Sequence, residues 1–220
     1  MVKLFEIYCR LVLRFYAPVK VSGNQSLPNR PFIMYSNHSS HLDFIILSLY
    51  GGKGFKNTCV IAAQDYWFDN RWRRRFIEWF FNGIPVNRRK LFKAEAIKEI
   101  IDLCRTRMDR GSKQRSLIVF PEGRRSSDGT IEKFKIGPAA IASELGIAVV
   151  PAYIKGSHLS WPKGRWFMAP RKIELFFGEP LCLDTDDIQE KESLQHYRAV
   201  TGVMEAAFHK LRAESTTKSL

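Results

Sequence analysis

The 220 residues hold no uninterrupted apolar run of about 18, which excludes a conventional transmembrane helix. A cleavable signal peptide is not expected either, because Glu6, Arg10 and Arg14 interrupt the apolar stretch near the N-terminus. Cysteine is scarce: Cys9, Cys59, Cys104 and Cys182 lie far apart and make no C-x-x-C pair. That spacing excludes a zinc ribbon and a disulfide framework, and fits a reducing compartment. There is no G-x-S-x-G elbow for a serine nucleophile, no internal repeat and no low-complexity segment. Acidic residues are also in deficit, 22 against 35 Lys and Arg, for a formal net charge of +13. The partner should therefore be anionic: nucleic acid, an acidic membrane surface or a phosphorylated substrate. With hydrophobic residues at 45% and charged residues at 26%, the chain is long and apolar enough for one substantial core.

Strand-like runs alternate with helical ones. PFIMYS, TCVIAA (58–63), SLIVF (116–120), IAVVPAYI (147–154) and KIELFF (172–177) read as strands, with a short extended GIPVN between two helices. Periodicity predicts helices over 2–16, 66–81, 91–108 and 136–145, the last stopped by Gly146. The pattern predicts an α/β fold with a mostly parallel central sheet flanked by helices. The expected organisation is an amphipathic membrane-interface helix over 1–20, one domain over 21–212 and a frayed tail over 213–220. In the first helix Lys3, Glu6, Arg10 and Arg14 form a thin charged stripe. The wide apolar remainder suits either a membrane interface or packing on the core.

The cluster Asn37-His38-Ser39-Ser40-His41-Leu42-Asp43 follows a strand end, where α/β proteins place their chemistry. With a helix starting near Ser40, Asp43 can reach back to His38, fix its tautomer and leave the other ring nitrogen as a base. No cysteine or serine elbow accompanies the pair, so the nucleophile is expected to be a hydroxyl on the substrate. Two other readings stay open at this point. His38, His41 and Asp43 are metal-ligand types, although no second cluster completes such a site. Asn37, Ser39 and Ser40 also suit a helix cap. Three further clusters follow in order: Gly83-Ile84-Pro85-Val86-Asn87-Arg88, Phe120-Pro121-Glu122-Gly123-Arg124-Arg125-Ser126, and Val149-Val150-Pro151-Ala152. Arginines in the first two suit phosphate oxygens or a solvated charged face.

Taken together these four clusters resemble the signatures of the glycerolipid acyltransferase family. Asn37, His38, Ser40 and Asp43 match Asn-His-x-Ser-x-x-Asp. Gly83 and Arg88 match the second signature, and Pro151 the strand proline of the fourth. Phe120, Pro121, Glu122, Gly123, Arg125 and Ser126 match Phe-Pro-Glu-Gly-Thr-Arg-Ser, with Arg124 in the place of threonine. The resemblance implies acyl transfer from acyl-CoA or acyl carrier protein, with no bound cofactor or metal, to the hydroxyl of lysophosphatidic acid. Another lysophospholipid, glycerol 3-phosphate or a hydroxylated aminolipid remains open as acceptor. It assigns His38 as base and Asp43 as its orienting partner. Arg88, Glu122, Gly123, Arg124, Arg125 and Ser126 would hold the glycerol phosphate, supported by Asn37, Ser40, Gly83, Pro121 and Pro151. Arg124 equally suits solvent.

From Trp67 to Lys93, eight Arg and Lys residues interleave with eight Trp and Phe. Aromatics at headgroup level and cations facing anionic lipid fit a monotopic or peripheral enzyme on the cytoplasmic face of a membrane. Nucleic acid is the rival partner, but the chain carries no nucleic-acid motif and none is expected to bind.

Overall fold

The computed structural model describes residues 1–29, 31–87, 94–109, 114–183 and 194–217. Seven strands form one sheet: β1 (Val19–Ser22), β2 (Ile33–Ser36), β3 (Thr58–Ala63), β4 (Ile84–Val86), β5 (Ser116–Val119), β6 (Val149–Lys155) and β7 (Ile173–Phe177). Their order is β1-β7-β6-β2-β5-β3-β4. Among the described residues every pairing is parallel except β6 with β7. Helices α1 (Val2–Phe15), α2 (Asp43–Ile46), α3 (Arg71–Phe81), α4 (Ala94–Met108), α5 (Ile136–Leu145), α6 (Ser157–Ser160) and α7 (Leu194–Thr217) complete the order.

The sheet is covered on both faces, which is why β2 and β5 are buried along their whole length and, apart from Ser36 and Ser116, mainly apolar. The alternation of side chains divides the core. Met34, Val60, Ile118 and Val150 point to the face covered by α1, α2 and α3. Ile33, Tyr35, Leu117 and Val149 point to the face carrying α4, α5 and α7. β2 lies between β5 and β6, parallel to both, so all three strands deliver their C-terminal ends to one edge. The His38 loop, the Phe120–Ser126 segment and the turn into α6 therefore meet there.

Most expected elements form, with instructive differences. The helix expected over 66–81 is broken: residues 64–68 form a wide π-type turn and α3 starts at Arg71. Asn70 causes the break, since its extended backbone lets its side chain accept from the N–H groups of Trp72 and Arg73 at 2.9 and 3.2 Å. α4 begins at Ala94, and residues 91–93 of its expected range lie outside the described residues. The first helix ends at Phe15, and Val19 and Lys20 pair with β7 as part of β1 rather than extending it. Residues 213–217 continue α7 instead of fraying, with Ser215 buried. α1 packs on the fold through Cys9, Leu13 and Phe5, whose ring meets Phe55, Phe76 and Phe80. Leu4, Tyr8, Leu11 and Phe15 remain exposed.

Candidate active site

His38 stands in the loop leaving β2, and Asp43 opens α2 five residues later. Nδ1 of His38 lies 2.9 Å from Oδ2 of Asp43. The same oxygen accepts the backbone N–H groups of Ser39 and Ser40, each at 2.8 Å. Those two fixed donors demand an acceptor at that point, so Nδ1 must carry the proton and Nε2 is left with its lone pair. Asp43 is fully buried, whereas 16% of the His38 side chain is exposed. Burial pushes the imidazole below its ordinary value of 6.5, against the opposing pull of Asp43, and the positive charge of Arg125 adds to the lowering. His38 is consequently neutral, as a base must be, at pH 7.

The loop is clamped on both sides. Asn37 exchanges two hydrogen bonds with β6, donating from Nδ2 to the Ile154 carbonyl and accepting from its N–H, both at 2.9 Å. On the other side the His38 N–H donates to Oε1 of Glu122 at 2.7 Å, and Ser126 N–H donates to the His38 carbonyl at 2.8 Å. The His38 ring stacks on Phe120 with centroids 3.9 Å apart. Helix α2 has Leu42 as its first flanking residue and no side-chain cap. Of the three residues that suit a helix cap, Ser40 serves the helix start, its Oγ accepting from Leu42 N–H at 3.1 Å while donating to the Trp161 carbonyl at 2.8 Å, whereas Asn37 serves β6.

The hydroxyls near the base are engaged. Ser39 Oγ meets Ser157 Oγ, and Ser126 Oγ donates to Asp128 while accepting from Gly129 N–H. Burial pushes the thiols of Cys9, Cys59 and Cys104 up to about 12, which keeps them from acting as thiolates at neutral pH. Neither class offers a nucleophile to His38 among the described residues. The metal reading also fails on geometry, because Nε2 of His41 faces the guanidinium of Arg125 and accepts a hydrogen bond from it. That neighbour and burial hold His41 down at about 4, burial being the larger cause.

A groove of about 1810 Å³ opens beside His38. Its walls are apolar where Phe44, Val60, Ala62, Trp67 and Ile101 line it, and cationic where Arg124, Arg125, Lys133 and Lys135 do.

A sequence model of the family described as Acyltransferase matches residues 18–155, which is most of the chain and includes His38, Asp43 and the 120–126 segment. The chain belongs to the acyltransferase family. Among its relatives, the 1-acyl-sn-glycerol-3-phosphate acyltransferase of Cocos nucifera is 29% identical over 183 residues, covering 82% of this chain and 54% of that protein. The enzyme of the same name from Limnanthes douglasii is 31% identical, over 80% of this chain and 59% of its own length. The chain thus spans little more than half the length of these curated relatives. Among solved structures, the 1-acyl-sn-glycerophosphate (LPA) acyltransferase PlsC from Thermotoga maritima superposes with a TM-score of 0.67 at 28% identity. That match covers 96% of this chain and 80% of PlsC.

The other residues expected for an acyltransferase site take different positions. Arg125 lies on the groove, tied to His41 and stacked over the Tyr66 ring at 5.7 Å. Arg124 is 69% exposed and pairs with Glu132 at 2.8 Å on the groove's rim. Glu122 and Ser126 differ from expectation. Both Glu122 oxygens are taken by backbone N–H groups, Oε1 by His38 and Oε2 by Glu132 at 2.9 Å, and Ser126 is likewise held inside its own turn. Both hold the loop, and Glu122 also lines the groove. Gly123 has φ +72°, a left-handed turn that a Cβ would strain, and its N–H donates to the Phe120 carbonyl. The Pro121 carbonyl accepts from Lys135 N–H. Gly83 is buried against α3, where a Cβ would come within 2.8 Å of Ile77. Pro151 lies inside β6 rather than closing it, one residue before the β7 ladder begins at Ala152. Arg88 lies outside the described residues. His41 stood out in the sequence only as a metal-ligand type and Tyr66 not at all, since the Arg125 that both contact lies far along the chain.

Proposed function

We propose that this chain transfers a fatty acyl group from an acyl thioester to the free hydroxyl of lysophosphatidic acid, giving phosphatidic acid. The observation that carries the reading is the neutral His38, oriented by buried Asp43 beside a groove, with the neighbouring Ser39 and Ser126 hydroxyls engaged and the buried thiols held protonated. The nucleophile is then the acceptor's own alcohol. Nε2 of His38 takes the hydroxyl proton as the oxygen bonds to the thioester carbonyl carbon, and Asp43 stabilises the imidazolium. The tetrahedral intermediate collapses by breaking the C–S bond, and the thiolate or its protonated form leaves with the proton returned from Nε2. A thiol of pKa about 8.5 leaves far more readily than an alkoxide, so no covalent acyl-enzyme is needed. Acid–base assistance of this kind contributes about 10²–10⁴ in rate.

The groove's two characters suit the two parts of the substrates. Its apolar wall offers room for an acyl chain, and Arg125, with Arg124, offers charge for the acceptor phosphate. Acyl-CoA or an acyl carrier protein is the donor, both anionic partners for a chain of net charge +13. The acceptor is a bilayer lipid, so the reading includes a peripheral enzyme on a membrane, with the cytoplasmic face as its expected side. The exposed Leu4, Tyr8, Leu11 and Phe15 of α1 and Trp72 and Trp79 of α3 support this reading. No described helix is long and apolar enough to cross a membrane.

The test is thioester consumption across a panel of lysophospholipids, glycerol 3-phosphate and hydroxylated aminolipids, with products identified by mass spectrometry. Lysophosphatidic acid should be the best acceptor, and His38→Ala should lose at least about 10² in turnover while binding anionic vesicles as before. Undiminished turnover by His38→Ala overturns the mechanism, and preference for another acceptor overturns the substrate.

A further inference from the structure

Between α6 and β7 the chain makes a closed loop from Ser160 to Ala169. Its base is pinned by a reciprocal pair: Ala169 N–H donates to the Ser160 carbonyl at 2.7 Å, and Ser160 Oγ donates to the Ala169 carbonyl at 2.9 Å. Inside it, Trp161 Nε1 donates to the Arg165 carbonyl at 2.9 Å, and Arg165 N–H to the Pro162 carbonyl at 3.3 Å. Yet this well-braced loop presents Trp166 and Phe167 to water, 89% and 85% exposed. Among the described residues neither ring has an aromatic partner. Lys163 and Arg165 stand exposed beside them, and Arg171 and Lys172 follow.

Two contacts give the tip its context. The Tyr16 hydroxyl donates to the Met168 carbonyl at 2.9 Å, which joins the loop to the end of α1 whose Leu11 and Phe15 are exposed. On its other side the loop bridges to the catalytic segment. Ser40 Oγ donates to the Trp161 carbonyl at 2.8 Å, Ser40 pairs with Pro162, and the His41 ring lies 5.3 Å from that of Trp161.

We propose that the Trp166–Phe167 tip is a wedge that inserts into an anionic bilayer and, through Trp161 and Ser40, seats the His38 loop against the lipid supplying the acceptor. The second half rests on the function proposed above. The occupant follows from shape and charge. A protein partner needs about 800 Å² per side of fitted surface, whereas two rings on a projecting tip offer little area. Aromatic rings ringed by Lys and Arg suit the headgroup level of an acidic membrane, where they need depth and charge but no complementary shape. The apolar face of α1 extends the same surface.

The experiment compares the full chain with the double variant Trp166→Ser, Phe167→Ser and with Trp166→Phe. Partition is measured on vesicles of phosphatidylglycerol and phosphatidylcholine at low salt. Turnover is measured on lysophosphatidic acid in those vesicles and on a short-chain acceptor dispersed in water. The double variant should lose at least about tenfold in partition, equivalent to about 1.4 kcal/mol, and most of its turnover on the vesicle-borne acceptor. It should keep its turnover on the dispersed acceptor, and Trp166→Phe should stay close to the parent. Unchanged partition overturns the proposal, as does equal loss on both acceptors, which marks a structural role. A defect seen only with acyl carrier protein as donor also overturns it, by marking a protein-docking tip. Partition requires no chemistry, so a panel in which no acceptor is consumed defeats the functional reading while the wedge is still tested.

Discussion

Replacing Asp43 by asparagine tests the proposed working of the His38–Asp43 pair, because the surrounding backbone dictates how the amide must sit. Oδ2 of Asp43 receives three donors: His38 Nδ1, Ser39 N–H and Ser40 N–H. An amide nitrogen at that point would face two immovable N–H groups, so the amide oxygen takes it and His38 keeps its Nδ1 proton. The exchange therefore removes charge without reversing the tautomer. In the serine-protease triad, where asparagine does impose the wrong tautomer, the loss is about 10⁴. Here the ceiling is the attraction between carboxylate and imidazolium, about 4 kcal/mol for unit charges about 4 Å apart at an effective dielectric constant near 20. The amide dipole recovers part of it, leaving an expected fall of about 10²–10³ in kcat, at about 1.4 kcal/mol per factor of ten. The acceptor KM should hold.

The same variant shifts the pH profile in a determined direction. In the parent, burial lowers His38 and Asp43 raises it. The acid limb of kcat/KM, which reports protonation of the base, should thus lie below 6.5, and Asp43→Asn should move it to still lower pH. Oδ1 of Asp43 is buried with no hydrogen-bond partner among the described residues. The new amide N–H₂ lands there without an acceptor, costing about 1–3 kcal/mol, offset by removal of a buried charge. Steady-state thioester consumption from pH 5 to 9, with thermal unfolding alongside, reads all three effects. A fall in kcat below about tenfold, or an acid limb that moves upward, refutes the reasoning.

Two further outcomes follow from charged groups around the loop. Burial pushes Glu122 up to about 7 from an ordinary 4.5, against the lowering by its two backbone donors. Its raised pKa adds stability that is fully present below about 4.5 and lost as pH rises through about 7, so the Tm of the parent relative to Glu122→Gln should fall across that window in calorimetry. His41→Phe removes the acceptor that holds Arg125 and should raise the KM for lysophosphatidic acid by about tenfold, the scale of one charged hydrogen bond, with kcat little changed. Initial-rate kinetics on the acceptor separate the two parameters.

What the sequence made legible is what depends on neighbours along the chain. The His38–Asp43 contact needs only a strand end, a short loop and a helix start, and the spacing of the two residues supplies that. β3 and α5 form over the expected residues because an apolar run and a glycine stop specify them locally. The missing elements depend on distant partners. β1 is four residues at the sheet's edge, three half-buried and Lys20 exposed, whose ladder lies on β7, from Val19 against Ile173 onward. α7 buries Val200, Met204, Phe208 and Leu211 at helical spacing, but the polar residues among them obscured that stripe. The exposed tip at Trp166 and Phe167 has no periodicity to announce it.

The site residues show the same division in sharper form. Residue types in the 120–126 segment suggested phosphate binding, yet its principal work is backbone geometry. Glu122 takes the His38 N–H, Ser126 donates to the His38 carbonyl, and Phe120 supports the imidazole from one face. The first and third signatures are thereby one object, assembled because β2 and β5 are parallel neighbours ending at the same edge. This arrangement also accounts for the one departure from the family pattern. The Glu122 side chain and the Ser126 backbone N–H hold the His38 loop, while the left-handed Gly123 and the Ser126 hydroxyl shape the turn that carries them. Arg124 sits within the same turn with its side chain directed outward to Glu132, mostly in solvent. An arginine there adds positive charge to the rim of the groove and leaves the clamp on the His38 loop untouched.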